Sequence, residues 1–442
     1  MANKNLSNAK NAKNDEFYTQ LNDIQAEVNA YIDYDPDVFR GKTVLLPCDD
    51  PEWSNFTRFF AQNFERFGLK KLISTSYAAA SKTISAAKNA KGTKGKKDVS
   101  WYQPSLFEQE SPQYDEKKTA VKGKIFVLDH DTNANGKIDF EDLEWEYLEG
   151  DGDFRSEEVC KLRDEADMIV TNPPFSLFRE FLAWIVGGEK GNALTQRRRD
   201  AECAGGGKDC LAASAAAKAL ADKKNAKGAK KFLIIGNKNV LNTKDIFPLV
   251  VSNLLWSGRT EWTGGMWFET KYDDDVERIE NGVCMKNVAS IWLTNMEHGR
   301  RHQPLRLMTM ADNIKFSRHK EIRGVGYKKY DNYDAIEVPF TDAIPSDYDG
   351  VMGVPVTFLD KHCPEQFEIV GITKTWFGAA TKTYPEQVQV DAKGKRKTVT
   401  KLNDGAVLKI DDPPIGTTYY EVNGEKYIQT YPRILIRARQ PK

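Results

Sequence analysis

The sequence predicts an α/β fold built on a parallel sheet, followed by a loop-rich second domain. Three observations carry that reading. Short apolar strands alternate with amphipathic helices before residue 299. One of those strands, in "DMIVTNPPFSLF" (167–178), runs straight into a double-proline corner. Basic low-complexity stretches interrupt a chain that is neutral overall, with 64 Lys and Arg against 64 Asp and Glu over 442 residues.

The elements follow in order. Residues 14–40 read as a helical opening. "KTVLLPCDD" is a short apolar strand that ends at Pro47. "NFTRFFAQNFERFG" carries apolar residues at helical spacing, with Gly68 as its C-cap. "LKKLISTSY" is a second strand, and strand–helix–strand is the signature of a parallel pair. The pattern then breaks. "AAASKTISAAKNAKGTKGKK" holds lysines and no acid, and opens an insertion near 78–120. A second insertion spans 188–230 and a smaller one, "DAKGKRKTVTK", spans 391–401. Such composition buries too little apolar surface to pack, so all three are expected as exposed basic insertions. Between them the sheet resumes with "DMIVT", the helix "SLFREFLAWIV", the strand "KFLIIGN" and the helix "KDIFPLVVSNLLW". "GMWFET" and "ASIWLTN" read as a closing antiparallel pair. From 299 onward short strands alternate with Pro-, Tyr- and Asp-rich loops. The expected division is therefore 1–298 and 299–442.

Composition excludes several classes. The opening "MANKNLSNAKNAKNDE" is polar and is no secretory signal. No apolar run approaches the roughly 18 residues of a membrane span, so a cytoplasmic protein without a membrane partner is expected. Six cysteines without a CxxC pair and five histidines without HExxH spacing argue against a disulfide framework or a zinc site. With zero net charge, a nucleic-acid partner must be argued from where the basic residues lie.

The corner Asn172-Pro173-Pro174-Phe175 carries the chemistry. Ligands of open parallel sheets bind outside the carboxyl ends of the strands. Both prolines fix φ and lack an N–H, so the corner is stiff and rich in acceptors. The Asn172 side-chain oxygen and the Pro173 carbonyl suit an amino group that donates two hydrogens. Phe175 offers a flat heterocycle a stacking face. An exocyclic amino group held in this way becomes more tetrahedral, and its lone pair can attack a methyl group in line. Two directed hydrogen bonds accomplish this without a strong base. The ordinary alternative is a strand-to-helix turn with proline at the first helical position.

Asn-Pro-Pro-Phe resembles the (Asp/Asn/Ser)-Pro-Pro-(Tyr/Phe/Trp) signature of amino-methylating DNA methyltransferases. With "NDEFYTQ", "VLLPCDDPEWSNF", "GDGDFRS", "FLIIGNKN", "IPSDYDGVMGVPVTFL" and "YPRILIR", spread over nearly the whole chain, the sequence resembles the EcoRI-type adenine-specific modification methylase family. The resemblance implies a Rossmann-like class I methyltransferase sheet with a C-terminal target-recognition region. It implies methyl transfer from S-adenosyl-L-methionine to the N6 of an adenine flipped out of double-stranded DNA, either as the modification enzyme beside a separately acting cognate restriction endonuclease or as an orphan methylase. By the same resemblance, Asn172, Pro173, Pro174 and Phe175 are catalytic. Phe17, Tyr18 and Thr19 close over the methionine end of the cofactor. Pro47, Cys48, Asp49 and Asp50 form the cofactor loop, with both aspartates facing its positive amino-acid part. That loop lacks the glycines of common methyltransferases, as the EcoRI-type family does. Asp153 would accept the cofactor's adenine amino group and Phe154 would pack on the ring. The second strand ends in "STSY", with no acid where a ribose-binding carboxylate usually sits.

Phosphate contacts require Lys and Arg. The basic insertions and "HGRRHQPLRL" (298–307) are the candidates. "DTNANGKIDFED" (131–142) has calcium-loop spacing but ends in Asp142, where bidentate Glu is usual. It follows a strand, so a turn between two strands is the preferred reading and no metal is expected. Three other functions use related features: cytosine-N4 methylation, protein glutamine methylation, and DNA binding without catalysis. The glutamine enzymes have a glycine-rich loop, which is missing here. The intact corner disfavours a relic.

Overall fold

The stretch Thr43–Leu46 is buried at every position, which demands cover on both of its faces. The computed structural model describes residues 18–49, 54–78, 112–186, 230–259, 264–270, 276–280 and 282–439. It divides into two units, 1–240 with 254–298, and 241–253 with 299–442. No helix among the described residues is long and apolar enough to cross a membrane.

The strands of the first unit are β1 (Tyr18–Thr19), β2 (Thr43–Leu46), β3 (Lys71–Ser76), β4 (Lys124–Leu128), β5 (Glu144–Tyr147), β6 (Met168–Thr171), β7 (Lys231–Asn237), β8 (Trp256–Ser257), β9 (Met266–Glu269), β10 (Arg278–Glu280), β11 (Val283–Val288) and β12 (Ser290–Thr294). Eight form one mixed sheet in the order β5-β4-β3-β2-β6-β7-β12-β8. The central four are parallel. β4 and β5 extend one side antiparallel. On the other side β12 runs antiparallel to β7 and β8. The fold class is therefore mixed α/β. The chain leaves β2 for β3 on one side and returns to β6 on the other, which makes the carboxyl ends of β2 and β6 a topological switch point.

Helices α1 (Leu21–Tyr34) and α2 (Asn55–Gln62) contribute to one core. Ile24, Val28 and Tyr31 of α1 and Phe56, Phe59 and Phe60 of α2 pack with Val44, Leu46, Val170, Leu233 and Trp292 of the sheet. Burying each large side chain contributes on the order of 1.5–3 kcal/mol. Ser54 caps α2 by accepting from the Phe56 N–H at 3.1 Å, a contact worth about 1 kcal/mol.

Several elements differ from the sequence expectations. The opening helix is shorter than 14–40, because Tyr18–Thr19 pairs with β9. "NFTRFFAQNFERFG" breaks at Asn63, whose side chain donates to the Phe59 carbonyl at 2.8 Å. Gly68 does end the second piece, at φ +62°. "GMWFET" and "ASIWLTN" do not pair with each other. β9 joins β1, β11 and β10 in a small sheet, while β12 lies between β7 and β8. β9 alternates buried and half-buried residues while β12 is buried throughout, and only the pairing of distant strands assigns their partners.

The second unit adds a four-stranded sheet, β13 (Ile336–Glu337), β14 (Met352–Pro355), β21 (Arg433–Ala438) and β15 (Phe367–Ile372) in spatial order. A five-stranded sheet has the order β17 (Arg396–Val399), β16 (Gln387–Val390), β19 (Tyr419–Val422), β20 (Glu425–Gln429), β18 (Val407–Ile410). The stretch 391–401, expected as a low-complexity insertion, is mostly the turn and edge strand of a hairpin, with Gln387 opposite Val399 and Val390 opposite Arg396. Its alternating Arg396-Lys397-Thr398-Val399 is charged, as an exposed edge requires. Of the two larger insertions, 79–111 and 187–229 lie outside the described residues. Glu116–Val121 is a short helix capped by Asp115.

Candidate active site

Pro47 ends β2 and is buried, Cys48 is half-buried, and Asp49 is buried at 5% exposure. Hydrogen bonds hold Asp49 through both its backbone and its side chain. Its N–H donates to the Thr75 carbonyl at 3.1 Å. Its carbonyl accepts from Thr57 at 3.1 Å and from the Ser74 hydroxyl. Ser54 Oγ donates to Oδ1 at 2.7 Å, and Thr171 Oγ1 donates to Oδ2 at 2.5 Å. Thr171 is the last residue of β6 and directly precedes Asn172. One carboxylate thus ties the end of β2 to the end of β6. Both of these hydroxyl donors are neutral, so they orient the carboxylate without cancelling its charge. A carboxylate has about four acceptor sites, and these hydroxyls use two.

Beyond Thr171 the corner turns. Asn172 and Pro174 are half-buried and Pro173 is buried. Pro174 sits at φ −55° and ψ 120°, and its carbonyl accepts from the Leu177 N–H at 3.0 Å. A 3-10 turn, Phe175–Leu177, leads into a helix over 178–186. Half-buried Phe175 meets Phe268 edge to face, with ring centroids 6.3 Å apart. Phe268 on β9 lies opposite Thr19 on β1. Asn55 at the start of α2 donates to the Thr19 carbonyl at 2.9 Å. Tyr18 and Thr19 therefore lie in a strand beside the partner of Phe175. The Thr19 hydroxyl is buried and has no hydrogen-bond partner among the described residues. Phe17 and Asp50 lie outside the described residues.

The third loop, "GDGDFRS", reaches the end of β3. The Ala78 N–H donates to the Asp151 carbonyl at 2.8 Å. Gly152, at φ +82°, packs against the Ser76 carbonyl so closely that a Cβ has no room. Asp153 is paired with Arg155 at 2.5 Å, and Arg155 also reaches Glu180 at 3.0 Å. Phe154 is 5% exposed and packs edge to face on Phe181 and Trp184, at 5.1 and 5.6 Å. Both residues thus have protein partners that the sequence did not foretell. The buried hydroxyls Ser74, Thr75 and Ser76 fill the end of β3, where no acid stands.

The loop 131–142 closes on itself between the antiparallel β4 and β5. Asp131 accepts from the Gly136 N–H at 2.8 Å, and Asp142 from Thr132, Asn133 and Asp139. The Asp139 N–H, outweighing the cost of burial and aided by Asn133 and Thr132, holds the Asp142 carboxyl below the usual range. Among the described residues no group of three His, Cys, Asp or Glu side chains is arranged to hold a metal. In "HGRRHQPLRL", Arg301 is buried against Asn253, Arg300 pairs with Asp360 at 2.9 Å, and His302 with Glu365 at 2.9 Å. These side chains build the second unit.

Ser54, Thr171, Asn55 and Phe268 were not singled out as site residues. Ser54 had a local signal as a helix cap. Thr171 and Phe268 had none, because their partners are distant in sequence.

The family model described as "Adenine-specific methyltransferase EcoRI" matches residues 5–194 and 224–439. The chain is 34% identical over 383 residues to the Type II methyltransferase M.EcoRI of Escherichia coli, covering 84% of this chain and 90% of that one. It is 30% identical over 373 residues to the Type II methyltransferase M.MpnI of Mycoplasma pneumoniae, covering 83% and 84%. It is 28% identical over 443 residues to the Type II methyltransferase M.MgeORF184P of Mycoplasma genitalium, covering 98% and 99%. No solved structure matches.

Proposed function

The chain belongs to the EcoRI family of adenine-specific methyltransferases, and on that premise we propose that it methylates N6 of adenine at a short specific sequence in double-stranded DNA, with S-adenosyl-L-methionine as donor. The eight-stranded sheet is then the class I, Rossmann-like cofactor sheet, and 299–442 the target-recognition region. The proposed setting is the cytoplasm, with the chain acting either in restriction–modification beside a separate cognate endonuclease or as an orphan methylase.

One observation carries the reading. Asp49 and Asn172 emerge at the same end of adjacent parallel strands, joined through Thr171. The residues present fit the cofactor. A buried carboxylate that accepts from two neutral hydroxyls suits a cationic group. The buried Thr19 hydroxyl, with no partner among the described residues, is a polar atom awaiting one. When bound, S-adenosyl-L-methionine supplies an electrophilic methyl group. Asp49 and Asp50 would face its positive end, Pro47 and Cys48 would shape the loop, and Phe17, Tyr18 and Thr19 would cover it. Asp153 is already paired with Arg155 and Phe154 is packed in the core. Their loop is the surface proposed to meet the cofactor's adenine, as the family resemblance implies.

The adenine must leave the duplex, at a cost of a few kcal/mol that stacking and hydrogen bonds in the pocket offset. Phe175 stacks on the base. Asn172 Oδ1 and the Pro173 carbonyl accept the two amino hydrogens and localise the nitrogen lone pair. Pro173 and Pro174 keep those acceptors in place before the base arrives, so no reorganisation is needed during reaction.

The test is direct. The purified chain is incubated with unmethylated DNA and S-adenosyl-L-methionine, and the digested nucleosides are identified by mass. N6-methyladenine is expected; N4-methylcytosine would overturn the base assignment. Asn172→Ala is expected to lower turnover about 10²–10³-fold with cofactor binding retained. Loss of both would make Asn172 a structural residue.

A further inference from the structure

The basic residues of the second unit are sharply segregated. Between 315 and 329 stand Lys315, Arg318, Lys320, Arg323, Lys328 and Lys329 against one acid, Glu321. The next stretch, 331–349, carries Asp331, Asp334, Glu337, Asp342, Asp347 and Asp349 and no Lys or Arg. The two stretches do not cancel. Asp342 pairs with Arg318 at 2.7 Å and Asp334 with Lys329 at 2.9 Å. Lys315, Lys320, Arg323 and Lys328 are exposed, and none has an ion-pair partner among the described residues.

The segment is also firmly built. The short helix Met310–Phe316 is capped by Thr309, whose side chain accepts from the Asp312 N–H at 3.1 Å. The chain then folds back, with the Gly324 N–H donating to the Ile314 carbonyl at 2.8 Å and the Arg323 N–H to His319 at 2.9 Å. Ile322 is buried at 1% exposure. His319 stacks on Phe340 with ring centroids 3.7 Å apart and bonds Asp342 at 2.8 Å. Phe316 and Val325 are each 61% exposed amid the charges. The Lys315 ammonium lies over the Phe316 ring at 4.9 Å, so charge and apolar surface stand side by side on a fixed scaffold. A polyanion that also presents sugar and base surface uses both features.

Resting on the DNA-methylation reading, we propose that the segment 315–329 is an edge that grips duplex DNA, with Lys315, Lys320, Arg323 and Lys328 on phosphates and Phe316 and Val325 on the sugar and groove surface between them. Fixed charges bind without the ordering cost that a mobile basic tail incurs. The segment was not among the basic stretches singled out in the sequence. Of those, "HGRRHQPLRL" has its first two arginines engaged within the unit, and on the hairpin Arg396 is paired with Glu421.

The salt dependence of binding tests this. Each phosphate contact contributes about −0.9 to the slope of log K against log salt. The triple variant Lys315→Ala/Lys320→Ala/Arg323→Ala is expected to make that slope shallower by about 2–3, equally on cognate and unrelated duplexes. Cofactor affinity should be unchanged. A control of equal charge, Lys42→Ala/Arg66→Ala/Lys70→Ala, removes basic residues near the opposite ends of β2 and β3 and should leave the slope as it is. An unchanged slope in the first variant, with wild-type protein binding normally, overturns the proposal, as does an equal change in both variants. A wild-type chain that neither binds nor methylates duplex DNA overturns the DNA reading itself.

Discussion

Asp49 and Asp153 lie in loops at the same end of one sheet, and the resemblance assigned both to the cofactor. Their surroundings are opposite. Asp49 is buried and receives hydroxyl hydrogens from Ser54 and Thr171. Asp153 is partly exposed and bound by the Arg155 guanidinium. Hydroxyl donors orient a carboxylate and leave its charge in place, while a guanidinium orients it and cancels the charge. Two aspartates that look alike in a motif thus differ in what they can offer a cation. If the cofactor reading holds, Asp49 should matter more than Asp153 to a cationic ligand.

Three substitutions sharpen or break that contrast. Asp49→Asn should have the largest effect. It removes the charge and sets an amide against two hydroxyls, and hydrogen bonds to charged groups contribute about 1.5–3 kcal/mol. An affinity for S-adenosyl-L-methionine about 10–100-fold weaker is expected by calorimetry; unchanged affinity would remove Asp49 from the cofactor site. Thr171→Val should come next. It keeps the side-chain shape but withdraws the Oδ2 donor, so turnover should fall about tenfold, a cost of roughly 1.4 kcal/mol, with the melting temperature lowered by a few degrees. A double-mutant cycle between positions 49 and 171 should show coupling of about 1 kcal/mol, as residues in one network do. Additive losses would mean that the two strand ends act separately. Asp153→Asn should have the smallest effect, since its ion pair is partly exposed and such pairs contribute about 1 kcal/mol or less. Less than a threefold change in cofactor affinity is expected. A loss matching that of Asp49→Asn would erase the distinction.

The same contrast explains what could be read in advance. The strands of 43–46 and 71–76, the cap at Gly68 and the corner at Asn172 were legible because each depends on residues close in sequence. Apolar runs, a glycine able to take φ +62° and two prolines state their conformations locally. The antiparallel direction of β4, the break at Asn63 and the pairing of β9 with β1 were not legible. β1 and β9 lie far apart in the chain, and their two-residue pairing leaves no periodic trace. The fate of the arginines was hidden for a related reason. Arg301 is buried because Asn253 receives it, and no feature of "HGRRH" announces that partner.

The amino-acid sequence by itself determined the α/β class, the stiff acceptor-rich corner and the family, because these rest on local geometry and on long stretches of matched residues. Only the tertiary structure decided which carboxylate accepts from hydroxyls and which from a guanidinium, which arginines are spent on the fold and which lysines remain exposed without an ion partner among the described residues. Those properties belong to pairs of groups, and Thr171 meets Asp49 across 122 residues of chain. Electrostatic and hydrogen-bonding partners act over a few ångströms in space, so they become defined only when distant segments have packed.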